Sequence, residues 1–231
     1  WRKSVDQQSP GFAGFLAYNE YNPLNLKTLW NSISSTVSDV TILPDPAWIP
    51  CEEVEQQWAQ QFEILKGIWD RSRDEINKLL ISGALNANSY KQSMINTLMN
   101  ETDLFLNGSA HFSRPPEKFD RLTPPLLEKY TKVKCTTPDH PFFHCCASAA
   151  EVFQARETVY KNNLLHLKRS FVIFMRRELA VRKDKKAQLY FDDLLLKVGD
   201  ALKDSRNSAL IKTLQSNYQA ALIDEFQDTD Q

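Results

Sequence analysis

Two adjacent carboxylates near the end of the chain carry the clearest chemical signal in the sequence. Asp224 and Glu225 follow directly on an apolar run, which predicts a buried strand over residues 218–223. Ligands of parallel α/β sheets bind beyond the carboxyl ends of the strands, so these acids would emerge where a nucleotide sits. Mg²⁺ prefers hard oxygen ligands, which suits Asp224, and Glu225 is then placed to orient or deprotonate an attacking water. An ordinary strand followed by an acidic turn would show the same residues.

The residues around this pair narrow the interpretation. The string D-E-F-Q-D-T-D-Q at 224–231 resembles motif II of superfamily 1 DNA helicases of the UvrD type, a Walker B sequence with the pattern D-E-[FY]-Q-D-[TS]. About thirty residues upstream, Phe191-Asp192-Asp193-Leu194-Leu195 resembles the F-D-D-L segment that precedes motif II in the same family. Because both motifs occur in the right order and spacing, the chain is identified as a member of this family.

The order of further segments is similar to that of the RecB family, the beta subunits of exodeoxyribonuclease V. Trp1-Arg2-Lys3, His140-Pro141-Phe142-Phe143, a basic region and the two motifs follow one another as they do there. In that family a helical insertion domain, called 1B, interrupts the first RecA-like motor domain. The resemblance therefore implies a mostly α fold, with a 1B-type helical insertion domain over 1–187 and part of an α/β RecA-like motor domain over 188–231. It also implies that the sequence is an excerpt of a longer protein.

The resemblance assigns a role to each matching residue. Asp224 would coordinate the Mg²⁺ that accompanies ATP, and Glu225 would be the catalytic residue that activates the hydrolytic water. Gln227 would sense the γ-phosphate and couple hydrolysis to DNA movement, and Asp228 would support it. The floor between the nucleotide site and the single-strand track would include three upstream residues: Phe191, Asp192 and Asp193.

The enzyme implied by the resemblance is an ATP-dependent DNA helicase and exonuclease that processes double-strand ends for recombinational repair. Its cofactors would be ATP and Mg²⁺, and its partners would be DNA and the other two subunits of exodeoxyribonuclease V. The 231 residues contain no G-x-x-x-x-G-K-[ST] phosphate loop, so we expect this chain alone to be inactive. Two alternatives remain: another UvrD-type or AddA-like helicase, and a non-catalytic helical module that binds DNA or protein.

Composition excludes two broad classes of protein. With 42% hydrophobic and 25% charged residues the chain is not disordered, and no apolar run approaches the roughly 18 residues of a membrane-spanning helix. The net charge of −1 hides a basic stretch at 151–186, where ten basic and four acidic side chains give +6. Four cysteines are too few and too clustered for a secreted disulfide framework, which predicts a reducing, cytoplasmic setting.

Basic side chains recur at helical spacing in this stretch. Arg169, Arg176 and Lys183 are seven residues apart, and Lys161 and Lys168 form a neighbouring pair at the same interval. A seven-residue interval keeps side chains on one helix face, so we expect these five residues, the basic stripe, to contact DNA phosphates. A solvated face covering an apolar one would show the same spacing. No aromatic residues interleave with the charges as base-stacking platforms would.

Hydrophobic spacing and the positions of Gly and Pro predict a helical body. Short helices and turns are expected in the Pro-rich stretch 115–141, and four tryptophans are expected to anchor the core: Trp30, Trp48, Trp58 and Trp69. Because a parallel strand without neighbours has no hydrogen-bond partners, we expect residues 218–231 to be poorly packed. The predicted helices cover 50–82, 89–106, 142–186, a span ending near 203, and 208–215.

Cysteine and histidine cluster between residues 135 and 146 with enough soft ligands for zinc. No C-x-x-C pair occurs, and the cluster straddles two prolines at a predicted helix start, so we favour packing roles for its members. The five residues are Cys135, His140, His144, Cys145 and Cys146.

Overall fold

The computed structural model of the chain describes residues 9–33, 44–186, 191–218 and 220. Across these residues the chain is helical, and a single antiparallel bridge between Leu85 and Thr131 is the β-pairing that it forms. Two short 3₁₀ turns lie at Phe119–Leu122 and Ser205–Asn207. The α-helices are α1 (Pro10–Tyr18), α2 (Pro23–Ile33), α3 (Glu52–Ile81), α4 (Gln92–Asn107), α5 (Pro124–Lys129), α6 (Pro141–Lys186), α7 (Phe191–Lys203) and α8 (Ser208–Asn217).

The predicted helices are confirmed with small shifts at their ends. Helix α3 carries Glu52, Glu53 and Glu55 in its first turn, where the helix dipole favours acids. Helix α6 has 46 residues, which corresponds to about 69 Å at 1.5 Å per residue. The predicted strand at 218–223 and the expected poor packing of 218–231 fall almost entirely outside the described residues.

Two helices at the start of the described chain, α1 and α2, were not predicted from the hydrophobic spacing. Helix α1 begins after Ser9, whose hydroxyl accepts a hydrogen bond from the backbone N–H of Phe12 at 3.3 Å. This is the usual N-cap arrangement, in which a side-chain oxygen satisfies an N–H of the first helical turn. Short helices of this length depend on tertiary packing, and α1 buries Phe12, Phe15 and Leu16.

The helices enclose two apolar cores. The larger one lies between α3, α4, the 119–122 turn and the first turns of α6, and the predicted anchors Trp58 and Trp69 are both buried in it. The smaller core brings α1 against the middle of α6, with Tyr160 and Leu164 buried there. Trp48 packs at the edge of the smaller core, half-buried, and Trp30 is half-buried as well.

The chain divides into two compact units, Trp1–Phe174 and Met175–Gln231, and the division falls within α6. The domain boundary predicted at residue 187 stays a prediction. In the ranges that the structure describes, no helix is long and apolar enough to cross a lipid bilayer.

Candidate nucleic-acid interface and motor segment

The motif II residues Asp224, Glu225, Gln227 and Asp228 lie outside the described residues. Their predicted roles in Mg-ATP binding and hydrolysis therefore stay predictions. The upstream F-D-D-L segment lies inside: Phe191 and Asp192 begin α7, and Asp193 follows in its first turn. The sequence assigned this segment to the partial motor domain over 188–231, and the structure shows that the segment starts a helix.

Asp193 is held by a lysine from the end of the preceding helix. The Nζ atom of Lys183 lies 2.7 Å from both carboxylate oxygens of Asp193. The two side chains are 24% and 21% exposed, so most of each is shielded from water. Lys183, which the sequence assigned to the basic stripe, therefore makes an ion pair with a residue assigned to the motor segment.

In the first unit, residues 44–50 form an extended strap that lies along α6. Asn163, which is fully buried, binds the strap through both ends of its side-chain amide. The N–H of Ile49 donates to Asn163 Oδ1 at 2.9 Å, and Asn163 Nδ2 donates to the Ile49 carbonyl at 2.7 Å. The neighbouring Asn162 donates to the Ala47 carbonyl at 2.8 Å. The polar side chains of α6 thus satisfy backbone groups that no secondary structure would pair.

The strap continues toward the basic stripe. The Nδ1 atom of His166 lies 2.9 Å from the carbonyl oxygen of Pro46, and its ring packs edge-on against Trp48 at 5.8 Å. One step further, Arg169 Nη1 lies 2.9 Å from Asp45 Oδ1. A carboxylate of the strap therefore sits on a guanidinium that the sequence assigned to DNA.

The remaining stripe residues differ in exposure. Lys161 is exposed, whereas Lys168 and Arg176 are half-buried. The ammonium of Lys168 lies 4.7 Å from the ring centroid of Tyr21 and 3.4 Å from its hydroxyl, an arrangement that combines a cation–π contact with a hydrogen bond. Lys161 is therefore the stripe residue of the first unit that is most open to solvent.

One arginine of α6 is buried and does not contribute to the charged surface of this helix. Arg156 is only 3% exposed, and its guanidinium carbon lies 4.8 Å from the ring centroid of Trp58 and 4.9 Å from that of Phe153. Burial lowers the pKa of Arg156. The adjacent Glu157 is buried as well and pairs with Arg114 at 2.8 Å. Neither Arg156 nor Glu157 faces solvent, and helical spacing alone could not distinguish these two residues from the charged residues at the surface.

The cysteine and histidine cluster is spread over different environments. Cys145 and Cys146 are buried in the larger core, and Cys135 is exposed. The backbone N–H of Phe142 donates to His140 Nδ1 at 3.1 Å, and His144 Nε2 lies 2.8 Å from Asp139. Within the ranges described, no three potential metal ligands converge. The observed contacts are those of a helix start.

Comparison with known proteins places the chain in a family. Residues 52–231, more than three quarters of the chain, match the model of the UvrD/REP helicase N-terminal domain. RecBCD enzyme subunit RecB of Escherichia coli K12 is 25% identical over 175 residues, which cover 75% of this chain and 14% of that protein. The same subunit of Haemophilus influenzae is 22% identical over 100% of this chain and 21% of its own length.

A shorter match supports the same relationship. RecBCD enzyme subunit RecB of Mycolicibacterium smegmatis is 40% identical over 53 residues, or 23% of this chain. The chain spans 14% and 21% of the lengths of the two longer relatives. The motif order and the family match agree, and the chain belongs to the UvrD/REP helicase N-terminal domain family, as a RecB-like piece of a superfamily 1 helicase.

Proposed function

We propose that the chain is part of an ATP-dependent DNA helicase and exonuclease of the RecB type, which unwinds and degrades DNA from double-strand ends for recombinational repair. Residues 1–187 would form the 1B-type helical insertion domain and guide DNA, and residues 188–231 would return the chain to the RecA-like motor. The protein would act in the cytoplasm with the other two subunits of exodeoxyribonuclease V.

One observation carries this proposal. The family match extends to residue 231 and so includes the string in which Asp224 and Glu225 follow an apolar run. Carboxylate oxygens are the protein ligands that Mg²⁺ prefers, so the donor set suits a metal-bound nucleotide. Relatives named as RecB subunits favour this type over an AddA-like helicase or a non-catalytic module.

In the proposed motor, each of the motif II residues would have a different role. Asp224 would hold Mg²⁺, which neutralises charge on the phosphates when ATP is bound. Glu225 would accept a proton from the attacking water, and its carboxylate must be ionised to do so. Gln227, supported by Asp228, would sense the γ-phosphate. Phosphate-cradling backbone amides and a phosphate-loop Lys would have to come from outside residues 1–231.

The basic stripe would supply the DNA contacts. Of its members in the first unit, Lys161 is exposed, and Arg169 is held by Asp45. Phosphate contacts release condensed counterions, so each one adds about −0.9 to the log–log dependence of DNA affinity on salt. We expect a slope near −3 if three or four of the stripe cations bind phosphate.

The proposal is tested in the full-length protein by ATP hydrolysis with and without double-stranded DNA ends. We expect DNA to stimulate hydrolysis and Glu225→Gln to reduce the turnover by about 10²-fold or more, because general-base catalysis contributes on this order. Binding of a fluorescent ATP analogue should survive, since the Mg²⁺ ligand Asp224 is unchanged. Glu151→Gln, an exposed glutamate on α6, is the matched control. Wild-type turnover in Glu225→Gln would refute the assignment.

A further inference from the structure

The contact between Lys183 and Asp193 joins two features that the sequence treats as separate. Lys183 lies in the last turn of α6, and Asp193 lies in the first turn of α7. The lysine Nζ binds both oxygens of the carboxylate at 2.7 Å. Both residues belong to the second compact unit, so the contact is internal to that unit.

The position of each partner favours the pair. The C-terminal end of a helix carries partial negative charge and stabilises a cation, and the N-terminal end stabilises an anion. Lys183 and Asp193 each occupy the favourable end of their own helix. About three quarters of each side chain is shielded from water, which strengthens the attraction relative to a fully solvated pair. The Lys183–Asp193 pair, here called the clamp, therefore links the two helix ends.

We propose that Lys183 is a positioning residue, which fixes Asp193 and thereby the F-D-D-L segment at the end of α6, instead of a DNA phosphate ligand. The inference rests on the proposed function, because it assigns Lys183 to the coupling between the basic helix and the motor. Two of the three N–H donors of this ammonium already contact Asp193, and the negative charge of that carboxylate opposes the approach of a phosphate. The other four residues of the basic stripe would carry the DNA contacts.

The test uses the full-length protein and a charge swap. Lys183→Glu and Asp193→Lys each place like charges opposite one another, and the double variant restores an ion pair with the signs reversed. DNA-stimulated ATP turnover should fall roughly three- to tenfold in each single variant and return to within about twofold of wild type in the double variant, as expected for directly coupled residues. A role of Lys183 independent of Asp193 would not be rescued by the swap.

DNA affinity separates positioning from phosphate binding. In Lys183→Gln we expect the Kd for duplex DNA to stay within about twofold of wild type and the salt slope to be unchanged, since no phosphate contact is lost. Lys185→Gln, which removes an exposed lysine from the same turn, is the matched control. A salt slope shallower by about 0.9 in Lys183→Gln, with no change in Asp193→Asn, would overturn the proposal.

Amide hydrogen exchange in α7 tests the clamp without any enzymatic readout. Both single charge reversals should speed exchange in the first turns of α7, and the swap should restore the protection. If the wild-type protein shows no DNA-stimulated ATP hydrolysis, the proposed function fails, and the exchange result still decides whether Lys183 positions Asp193. Unchanged exchange in both single variants would overturn the positioning role.

Discussion

Asn163 and Ile49, which are 114 residues apart, exchange two hydrogen bonds through one side-chain amide. Asn163 accepts from the Ile49 N–H at 2.9 Å and donates to the Ile49 carbonyl at 2.7 Å. The amide imitates the pairing of two backbone residues in a β-ladder, although one partner lies on a helix. This pair fastens the strap to α6 and lies close in sequence to the basic stripe.

Replacement of Asn163 should destabilise the first unit. Asn163→Ala leaves the N–H and the carbonyl of Ile49 without their partner at a partly buried site, and we expect a loss of about 1–3 kcal/mol in the free energy of unfolding. Urea denaturation, monitored by circular dichroism, measures this loss. Asn162→Ala removes a single hydrogen bond that is exposed to solvent, and it should cost less than about 1 kcal/mol. Equal losses in the two variants would show that the two-way pairing carries no special weight.

Asp103 makes stability depend on pH through its contacts with Arg73 and Trp69. The guanidinium of Arg73 binds both carboxylate oxygens, and this hydrogen bonding lowers the pKa of Asp103 below its ordinary value. A carboxylate with a depressed folded-state pKa stabilises the fold above its unfolded pKa, and this contribution is lost as the pH falls through the folded pKa.

We expect Asp103→Asn to be less stable than wild type at pH 7, with the difference shrinking as the pH falls below about 4. The measurement is urea denaturation at several pH values. Asp70→Asn, which changes an exposed aspartate on α3, should show little difference at any pH. A difference between wild type and Asp103→Asn that stays constant down to pH 2 would contradict the linkage.

Two glycines should respond in opposite directions to alanine. At Gly11 an added Cβ would lie 2.5 Å from Glu55 Oε1 and closer still to the Tyr160 hydroxyl, so we expect Gly11→Ala to cost about 1–3 kcal/mol through overpacking. At Gly67, inside α3, the nearest side-chain atom is 4.0 Å away, and Gly67→Ala should stabilise by up to about 1 kcal/mol. Thermal unfolding of both variants checks the prediction, and a stabilised Gly11→Ala would refute the close packing of α1 on Tyr160.

The cysteines should differ sharply in their reactivity. Burial raises the pKa of Cys51, Cys145 and Cys146, and Cys135 is exposed. Because the thiolate is the reactive form, we expect a disulfide reagent such as DTNB to modify one thiol rapidly in the native chain and all four in urea. Cys135→Ser should abolish the fast phase. Two or more fast thiols in the native chain would contradict the observed burial.

Removal of the strap carboxylate should strengthen DNA binding if Arg169 faces phosphate. Asp45 pairs with Arg169 at 2.9 Å and is 63% exposed, so Asp45→Asn removes this ion pair without opening the core. We expect duplex DNA affinity to rise about two- to threefold and the salt slope to steepen, by fluorescence anisotropy across a salt series. Glu151→Gln, which makes the same change of charge at an exposed site on α6, serves as the control. Equal gains in both variants would assign the effect to net charge alone.

Local features of this protein could be predicted from the sequence alone. The three- to four-residue spacing of apolar side chains predicted α3 and α6, because a helix buries one face whatever its neighbours are. The same spacing identified Trp58 and Trp69 as core residues. The family could be recognised from the contiguous string at 224–231, because such a motif can be read without knowledge of the fold.

Which charges of α6 are buried or held in ion pairs depends on the tertiary fold. Spacing places side chains on a common face, but it does not say which remote segment covers that face. Burial of Arg156, the contact of Asp45 with Arg169 and the pairing of Lys183 with Asp193 all depend on how the chain returns to α6. The tertiary fold sets the distance between the charged groups in these contacts. The interaction energy of two charges depends on that distance and on how far water is excluded from them.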